Sequence, residues 1–132
     1  MTTTGDEMLG TADVIAFVPT RDPKRARAFY ERVLGLALQS EDPFALVFSA
    51  NGVMLRIADV SGMPDFTPAP YTILGWRVDS AESAVAALRA KGVSFQRFPG
   101  MKQNRAGIWT SPSGAKVAWF RDPDGNVLSI TE

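Results

Sequence analysis

VAWFRDPDGNVLSI, from Val117 to Ile130, decides the fold, because two β-prone runs in it flank the four-residue turn Asp122-Pro123-Asp124-Gly125. Proline presets the bend of such a turn, and glycine releases the chain into the next strand. An earlier segment, LVFSANGVMLRI (Leu46–Ile57), has the same plan and turns at Asn51-Gly52, a strong two-residue hairpin signal. The sequence therefore predicts two β-hairpins of similar design, one in each half of the chain.

Each predicted hairpin is preceded by a strand, a helix and another strand. In the first helix, Asp22 is the expected N-cap with Pro23 in the first turn, and in the second helix Asp79 and Glu82 resemble a capping box. Both helices carry an apolar stripe and stop at a glycine. The predicted strand, helix and strand span 14–18, 22–35 and 36–40 in the first half, and 71–78, 79–92 and 93–98 in the second.

The duplication indicates one α+β domain made of two βαβββ modules in tandem. We predict an N-terminal tail over 1–11 and a single domain over 12–131. Within the domain, module one covers 12–59, a proline-rich linker covers 60–70 and module two covers 71–131. Residues 1–10 lack the charged start and apolar run of a signal peptide, so a cytoplasmic location is expected.

Composition excludes several classes of function. Fourteen basic residues balance fourteen acidic ones without long runs of either sign, which argues against nucleic acid or an anionic membrane as a partner. The chain has no cysteine and no histidine, so it has no thiolate nucleophile and lacks the commonest metal ligand and general base. Any chemistry must come from Asp, Glu, Tyr, Ser, Lys or Arg.

The segments RDPKRARAFYERVLGL (Arg21–Leu36) and FRDPDGNVL (Phe120–Leu128), with the tandem modules, resemble the vicinal oxygen chelate superfamily. This superfamily includes glyoxalase I, bleomycin-resistance proteins and extradiol dioxygenases. The resemblance covers roughly 13–131. It implies a curved mixed sheet around a concave cavity, with the modules paired within one chain or across a homodimer; we expect the homodimer.

The same resemblance implies four metal-ligand positions, which fall at Ile15, at Arg56, at Ile73 or Thr72, and at Ser129. The family pattern would place His, Gln or Glu there. Isoleucine has no donor atom, and a unit positive charge about 4 Å from a divalent ion costs roughly 8 kcal/mol at an effective dielectric near 20. We therefore predict no metal and no other cofactor.

Strand alternation predicts which side chains line the cavity if the ligand positions face it. The candidate ligand-binding residues are Ile15, Phe17, Arg56, Ile73, Arg77, Trp109 and Ser129. Arginine forms bidentate hydrogen bonds to carboxylate or phosphate, although either arginine could instead pair with an acidic residue or reach solvent. Trp109 is a ligand platform, a cover for a sheet edge or a residue buried at a dimer contact. The alternation does not decide whether Trp119 or Phe120 faces the cavity.

The predicted function is metal-independent binding of a small organic molecule, anionic if the arginines take part, as in bleomycin-resistance proteins. One alternative is a glyoxalase-like lyase or isomerase, or a dioxygenase-related enzyme; another is a regulatory or partner-binding subunit without catalysis. No catalytic residue is identified. The titratable residues Asp13, Tyr30, Glu41 and Asp59 have no acid-base partner at a suggestive spacing, and we expect them to be solvated.

Overall fold

Two four-stranded mixed sheets and two helical segments make up the computed structural model, which describes residues 8–132. The predicted α+β fold of two βαβββ modules is confirmed. Residues 1–7 of the predicted tail, and with them most of the segment used to argue against a signal peptide, lie outside the described residues. The elements are a 3-10 turn at Leu9–Thr11, β1 Ile15–Thr20, α1 Pro23–Ala28, β2 Ala37–Glu41, β3 Ala45–Ala50, β4 Val53–Asp59, β5 Thr72–Arg77, α2 Ala81–Ala90, β6 Trp109–Thr110, β7 Lys116–Arg121 and β8 Val127–Thr131.

The two sheets repeat one strand order. The first sheet is ordered β1-β4-β3-β2 and the second β5-β8-β7-β6, and the first strand of each module pairs in parallel with the last. The β3–β4 and β7–β8 hairpins are antiparallel, as their turn sequences predict. Asn51 and Gly52 both have positive φ, 49° and 87°, which fits the right-handed twist of the strands that they join.

The helix starts follow the predicted logic in one module and depart from it in the other. Asp22 caps α1 by accepting a hydrogen bond from the Arg25 amide at 3.2 Å. The chain then continues through a wider π-helical turn at Phe29–Val33. In the second module the predicted Asp79 cap is wrong, because Ser80 is the N-cap and accepts from the Ser83 amide at 3.1 Å.

The predicted strand at 93–98 is wrong as well. Only one bridge, Phe95 to Phe120, joins this segment to the second sheet. The side chain of Gln103 accepts a hydrogen bond from the Phe98 amide at 2.8 Å and donates one to the Gln96 carbonyl at 2.9 Å. These backbone groups are therefore not available for pairing with a neighbouring strand. The edge of the sheet beside β7 is instead occupied by the two-residue strand β6, which begins at Trp109.

A single hydrophobic core lies on the helix side of both sheets. Strand alternation in the sequence predicts that the faces opposite the cavity residues pack under the helices, and all side chains on those faces belong to this core or pack against it: Ala16, Val18, Leu55, Ile57, Leu74, Trp76, Val78, Leu128 and Ile130. Phe120 is also fully buried in this core. In β7, Phe120 therefore faces the helices and Trp119 faces the opposite side of the sheet. No helix in residues 8–132 combines the length and hydropathy required to cross a membrane.

Candidate functional site

The candidate site lies on the sheet faces that point away from the helices, which we call the open faces. On the first sheet, pairing of β1, β4 and β3 places these side chains together: Ile15, Phe17, Val47, Ser49, Met54 and Arg56. On the second sheet, pairing of β5, β8 and β7 does the same for Thr72, Gly75, Arg77, Val117, Trp119, Val127 and Ser129. Arg56 pairs with Phe17, and Ser129 pairs with Gly75, so the two hairpins hold equivalent positions in the two modules.

A β-bulge in β5 determines which residue occupies the third of the four positions where the family pattern would place a metal ligand. Thr72 pairs with Val127 and Leu74 with Leu128, so Ile73 is the extra residue. Ile73 packs against the core instead of lining the open face. The expectation that Ile73 lines the cavity is therefore wrong, and of the two residues that the sequence offered for this position, Thr72 lies on the open face.

The residues at these four positions do not fit a divalent metal ion. Ile15 offers no donor, Arg56 brings a permanent positive charge, and Thr72 and Ser129 offer only neutral hydroxyls. Divalent ions in oxygen and nitrogen sites are held by carboxylate, imidazole or carbonyl ligands. Within residues 8–132, no three acidic, histidine or cysteine side chains come together in a way that could hold a metal ion.

Trp119 forms an aromatic cluster with Phe98 and Trp109 on the open face of the second sheet. The Trp119 ring lies 5.4 Å from Phe98 in an edge-to-face arrangement and 6.1 Å from Trp109 in a tilted one. Its indole Nε1 donates to the hydroxyl of Thr72 at 3.1 Å. This bond joins β7 to β5 over the intervening strand β8, and β6 brings Trp109 beside the Trp119 ring. Trp109 was expected in a loop, either as a ligand platform or as a cover for a sheet edge, and it lies in the short edge strand β6.

Ser129 lies in the middle of this face, next to Gly75. A Cβ atom at Gly75 would lie 2.7 Å from the Ser129 Oγ, so the glycine makes room for the hydroxyl. Ser129 is buried, yet in the described part of the chain its hydroxyl forms no hydrogen bond. The hydroxyl is thus a donor and acceptor available to a ligand.

Arg56 lies on the open face of the first sheet, and its guanidinium group is available to a ligand. Between residues 8 and 132 it forms no hydrogen bond and no ion pair within 4 Å. Backbone hydrogen bonds from Phe44 and Ala45, and to a smaller extent the Arg56 charge, lower the pKa of the exposed Asp42 carboxyl. Within the single chain, the interaction of Arg56 with an acidic residue is a longer-range attraction to Asp42, and pairing across a dimer interface stays a prediction.

The part of the first open face formed by β1 and the start of β4 is apolar and accessible in the single chain, whereas Val47 on β3 is buried. Ile15 is 46% exposed, Phe17 61% and Met54 42%. Arg77, the second candidate arginine, is exposed at the end of β5 and pairs with Thr131. Its neighbour Trp76 faces the core, as predicted.

A buried polar network joins the two modules behind these faces. The Tyr30 hydroxyl donates to the Asp122 carboxylate at 2.7 Å, and the Thr20 hydroxyl donates to the Asp124 carboxylate at 2.6 Å. Burial and then the nearby Asp122 carboxylate raise the pKa of Tyr30 far above its usual range. Tyr30 is 1% exposed, so the expectation that it is solvated was wrong. In the sequence, Tyr30 recurs at helical spacing with Ala26, Val33 and Leu34, and this apolar stripe was the signal for burial.

The Asp-Pro-Asp-Gly turn has a second role that its sequence signal does not reveal. Asp122 closes the turn by accepting hydrogen bonds from the amides of Asp124 and Asn126, both at 2.9 Å. Asp124 leaves its own hairpin and accepts from the Arg21 amide of the first module at 2.9 Å. Asp124 of the second module therefore holds the end of β1 in the first module. β1 in turn carries Ile15 and Phe17 of the first open face.

Comparison with known proteins gives one family. The model of the Glyoxalase/Bleomycin resistance protein/Dioxygenase superfamily matches residues 11–130. A search of curated protein sequences found no significant match.

Several solved structures share the fold. The lactoylglutathione lyase from Agrobacterium tumefaciens has a TM-score of 0.71 at 21% identity, covering 92% of this chain and 93% of that one. A glyoxalase family protein from Enterococcus faecalis has a TM-score of 0.73 at 19% identity, covering 95% and 100%. TnmS3, an antibiotic binding protein from Streptomyces sp. CB03234, has a TM-score of 0.65 at 24% identity, covering 94% and 97%. At these identities the likeness shows the fold alone.

Proposed function

The chain belongs to the Glyoxalase/Bleomycin resistance protein/Dioxygenase superfamily, and we propose that it binds a planar, anionic organic molecule on its open faces without the family metal. The observation that carries this proposal is the Trp119 cluster on the same face as Ser129, where the superfamily pattern would place a metal ligand. We place this activity in the cytoplasm, with a small molecule as the partner and no role for nucleic acid or membrane.

The Trp119 cluster favours a planar ligand. Aromatic side chains bind flat ring systems by offset or edge-to-face contact, with about 0.5–1.5 kcal/mol beyond the area buried. The Thr72 hydrogen bond and the contact with Phe98 hold the Trp119 ring in place before a ligand arrives. Less side-chain entropy is then lost on binding.

Arg56 favours an anionic group on the same ligand. Its guanidinium presents a planar fork that matches a carboxylate, and no partner within ion-pair distance among residues 8–132 competes for it. The hydroxyl of Ser129 adds one neutral hydrogen-bonding group from the second sheet. Together these groups suit recognition better than acid-base chemistry, because no carboxylate or imidazole lies among them.

The accessible apolar face of the first sheet supports a homodimer as part of the same proposal. Exposed apolar patches of this kind mark interaction sites. A second protomer that places its second open face across Ile15, Phe17 and Met54 would bring Arg56 of one chain opposite a Trp119 cluster of the other. Light scattering of Phe17→Glu should show a monomer, and the control Ala86→Glu, on the exposed side of α2, should leave the dimer intact.

Binding is tested with anthracene-2-carboxylate followed by tryptophan fluorescence. Trp119→Leu should weaken binding about tenfold through lost ring contact, and Arg56→Met should do the same through a lost charged hydrogen bond. Arg32→Met, an exposed arginine on the helix side, is the matched control. Unchanged affinity in both test variants would overturn the proposal.

Metal independence has its own test. Elemental analysis of protein purified without chelator should find less than stoichiometric divalent metal. A near-stoichiometric ion would overturn the metal-free part of the proposal and return the chain to the enzyme alternative.

A further inference from the structure

A cavity of about 390 Å³ lies on the helix side of the fold, and Arg77, at the edge of the second open face, also reaches its lining. The first module contributes Leu34 and Leu36 to its wall. The second module contributes Trp76 and Leu88, with Phe120 among the core residues that line it. The cavity therefore lies at the boundary between the modules, where both cover it with apolar side chains.

Within the described part of the chain, the charged residues that line this cavity are Lys91 and Arg77, and both are positive. The Lys91 ammonium reaches across the boundary and donates to the backbone carbonyl of Arg32 at 3.2 Å. An ammonium has three donors, so two remain for another acceptor. No carboxylate within residues 8–132 lies in ion-pair distance of Lys91.

We propose that this cavity binds an amphipathic carboxylate, with its apolar body against Trp76 and Leu88 and its charged group at Lys91. A volume of 390 Å³ holds roughly 13 non-hydrogen atoms at about 30 Å³ each. A medium-chain fatty acid or an aryl-alkyl carboxylate has that size. The apolar wall favours a ligand with a hydrocarbon body. Because Lys91 and Arg77 form no ion pair within residues 8–132, they favour a carboxylate over an alcohol.

This inference does not depend on the function proposed for the open faces. Decanoate is the probe, titrated by calorimetry into the wild-type protein, with an expected dissociation constant of about 0.1–1 mM for a ligand of this size. Decanol should bind more weakly, because it leaves Lys91 without a counter-charge. Binding of decanoate should survive Trp119→Leu, which damages only the open-face site.

Two neighbouring alanines on α2 provide a matched pair. Ala87 lines the cavity and is exposed, whereas Ala86 is exposed and does not line it. Ala87→Phe should weaken decanoate binding more than tenfold by filling the mouth of the cavity. Ala86→Phe adds the same side chain to the same helix and should bind as the wild type does.

A second variant tests the charge. Lys91→Met keeps most of the aliphatic stem and should weaken decanoate about three- to tenfold, while Lys24→Met, at an exposed position of α1, should not. Absence of saturable decanoate binding, or equal binding in the Ala87→Phe and Ala86→Phe proteins, would overturn the proposal. Equal affinity for decanoate and decanol, with no effect of Lys91→Met, would overturn the selection for an anion.

Discussion

Removing the Tyr30 hydroxyl tests how strongly the two modules are joined. Tyr30→Phe keeps the buried ring and deletes only the donor to Asp122 at 2.7 Å. Asp122 remains buried and keeps its bonds from Asn126 and Asp124, so one charged hydrogen bond is lost without a wider collapse. Hydrogen bonds to charged groups contribute about 1.5–3 kcal/mol. We therefore expect the free energy of unfolding to fall by about 2 kcal/mol.

Urea denaturation followed by circular dichroism measures this change. With a slope of about 2 kcal/mol per molar urea, the midpoint should fall by about 1 M. Tyr71→Phe is the control, because Tyr71 is 68% exposed and should change little. A loss below about 0.5 kcal/mol in Tyr30→Phe would refute the idea that this bond joins the modules.

The pH dependence gives the same test a second readout. Burial first, and the Asp122 carboxylate second, raise the pKa of Tyr30 in the folded protein. A group whose pKa is raised by folding contributes its full stability below its unfolded pKa, about 10 for tyrosine, and loses it as the pH rises further. Above pH 10 the wild type should lose about 1.4 kcal/mol per pH unit more than Tyr30→Phe. Parallel pH profiles for the two proteins would contradict the buried, protonated phenol.

Three further features are tested by substitution: a hydrogen bond between the modules, a close contact on the open face and a helix cap. Asp124→Asn should lower the free energy of unfolding by about 2 kcal/mol in thermal or urea denaturation, because the Asp124 carboxylate accepts a hydrogen bond from Thr20 across the module boundary; stability equal to the wild type would contradict this. Gly75→Ala should cost about 1–3 kcal/mol through the 2.7 Å approach to the Ser129 Oγ, and Gly75→Ala/Ser129→Ala should recover most of it; a double-mutant cycle without coupling would show that the contact is not the cause. Ser80→Ala should destabilise by about 1 kcal/mol and Asp79→Ala by much less in the same assay, and the reverse order would restore the predicted Asp79 cap.

The candidate site was predictable in part. Alternation along β1, β4 and β8 placed Phe17, Arg56 and Ser129 on one side of their strands, and the β-sheet pairing agrees with that placement. Alternation predicted the wrong face for Ile73, because β5 contains a bulge at this residue. The bulge forms only when β5 pairs with β8. The Trp119 cluster was also missed, since the contact of Phe98 with Trp119 depends on how a long loop returns to the sheet. Ligand binding by the candidate residues stays a prediction.

The sequence by itself determined the modules, because the information for them is local. Turn residues at Asn51-Gly52 and at 122–125, the Asp22 cap and the two periods of hydrophobicity are properties of short segments. Only the tertiary structure decided what joins the modules and what they surround. Tyr30 meets Asp122 across 92 positions and Thr20 meets Asp124 across 104, and Lys91 lies over a cavity whose walls come from both halves. Contacts between residues so far apart depend on how complete elements pack together, and a local pattern does not record that packing.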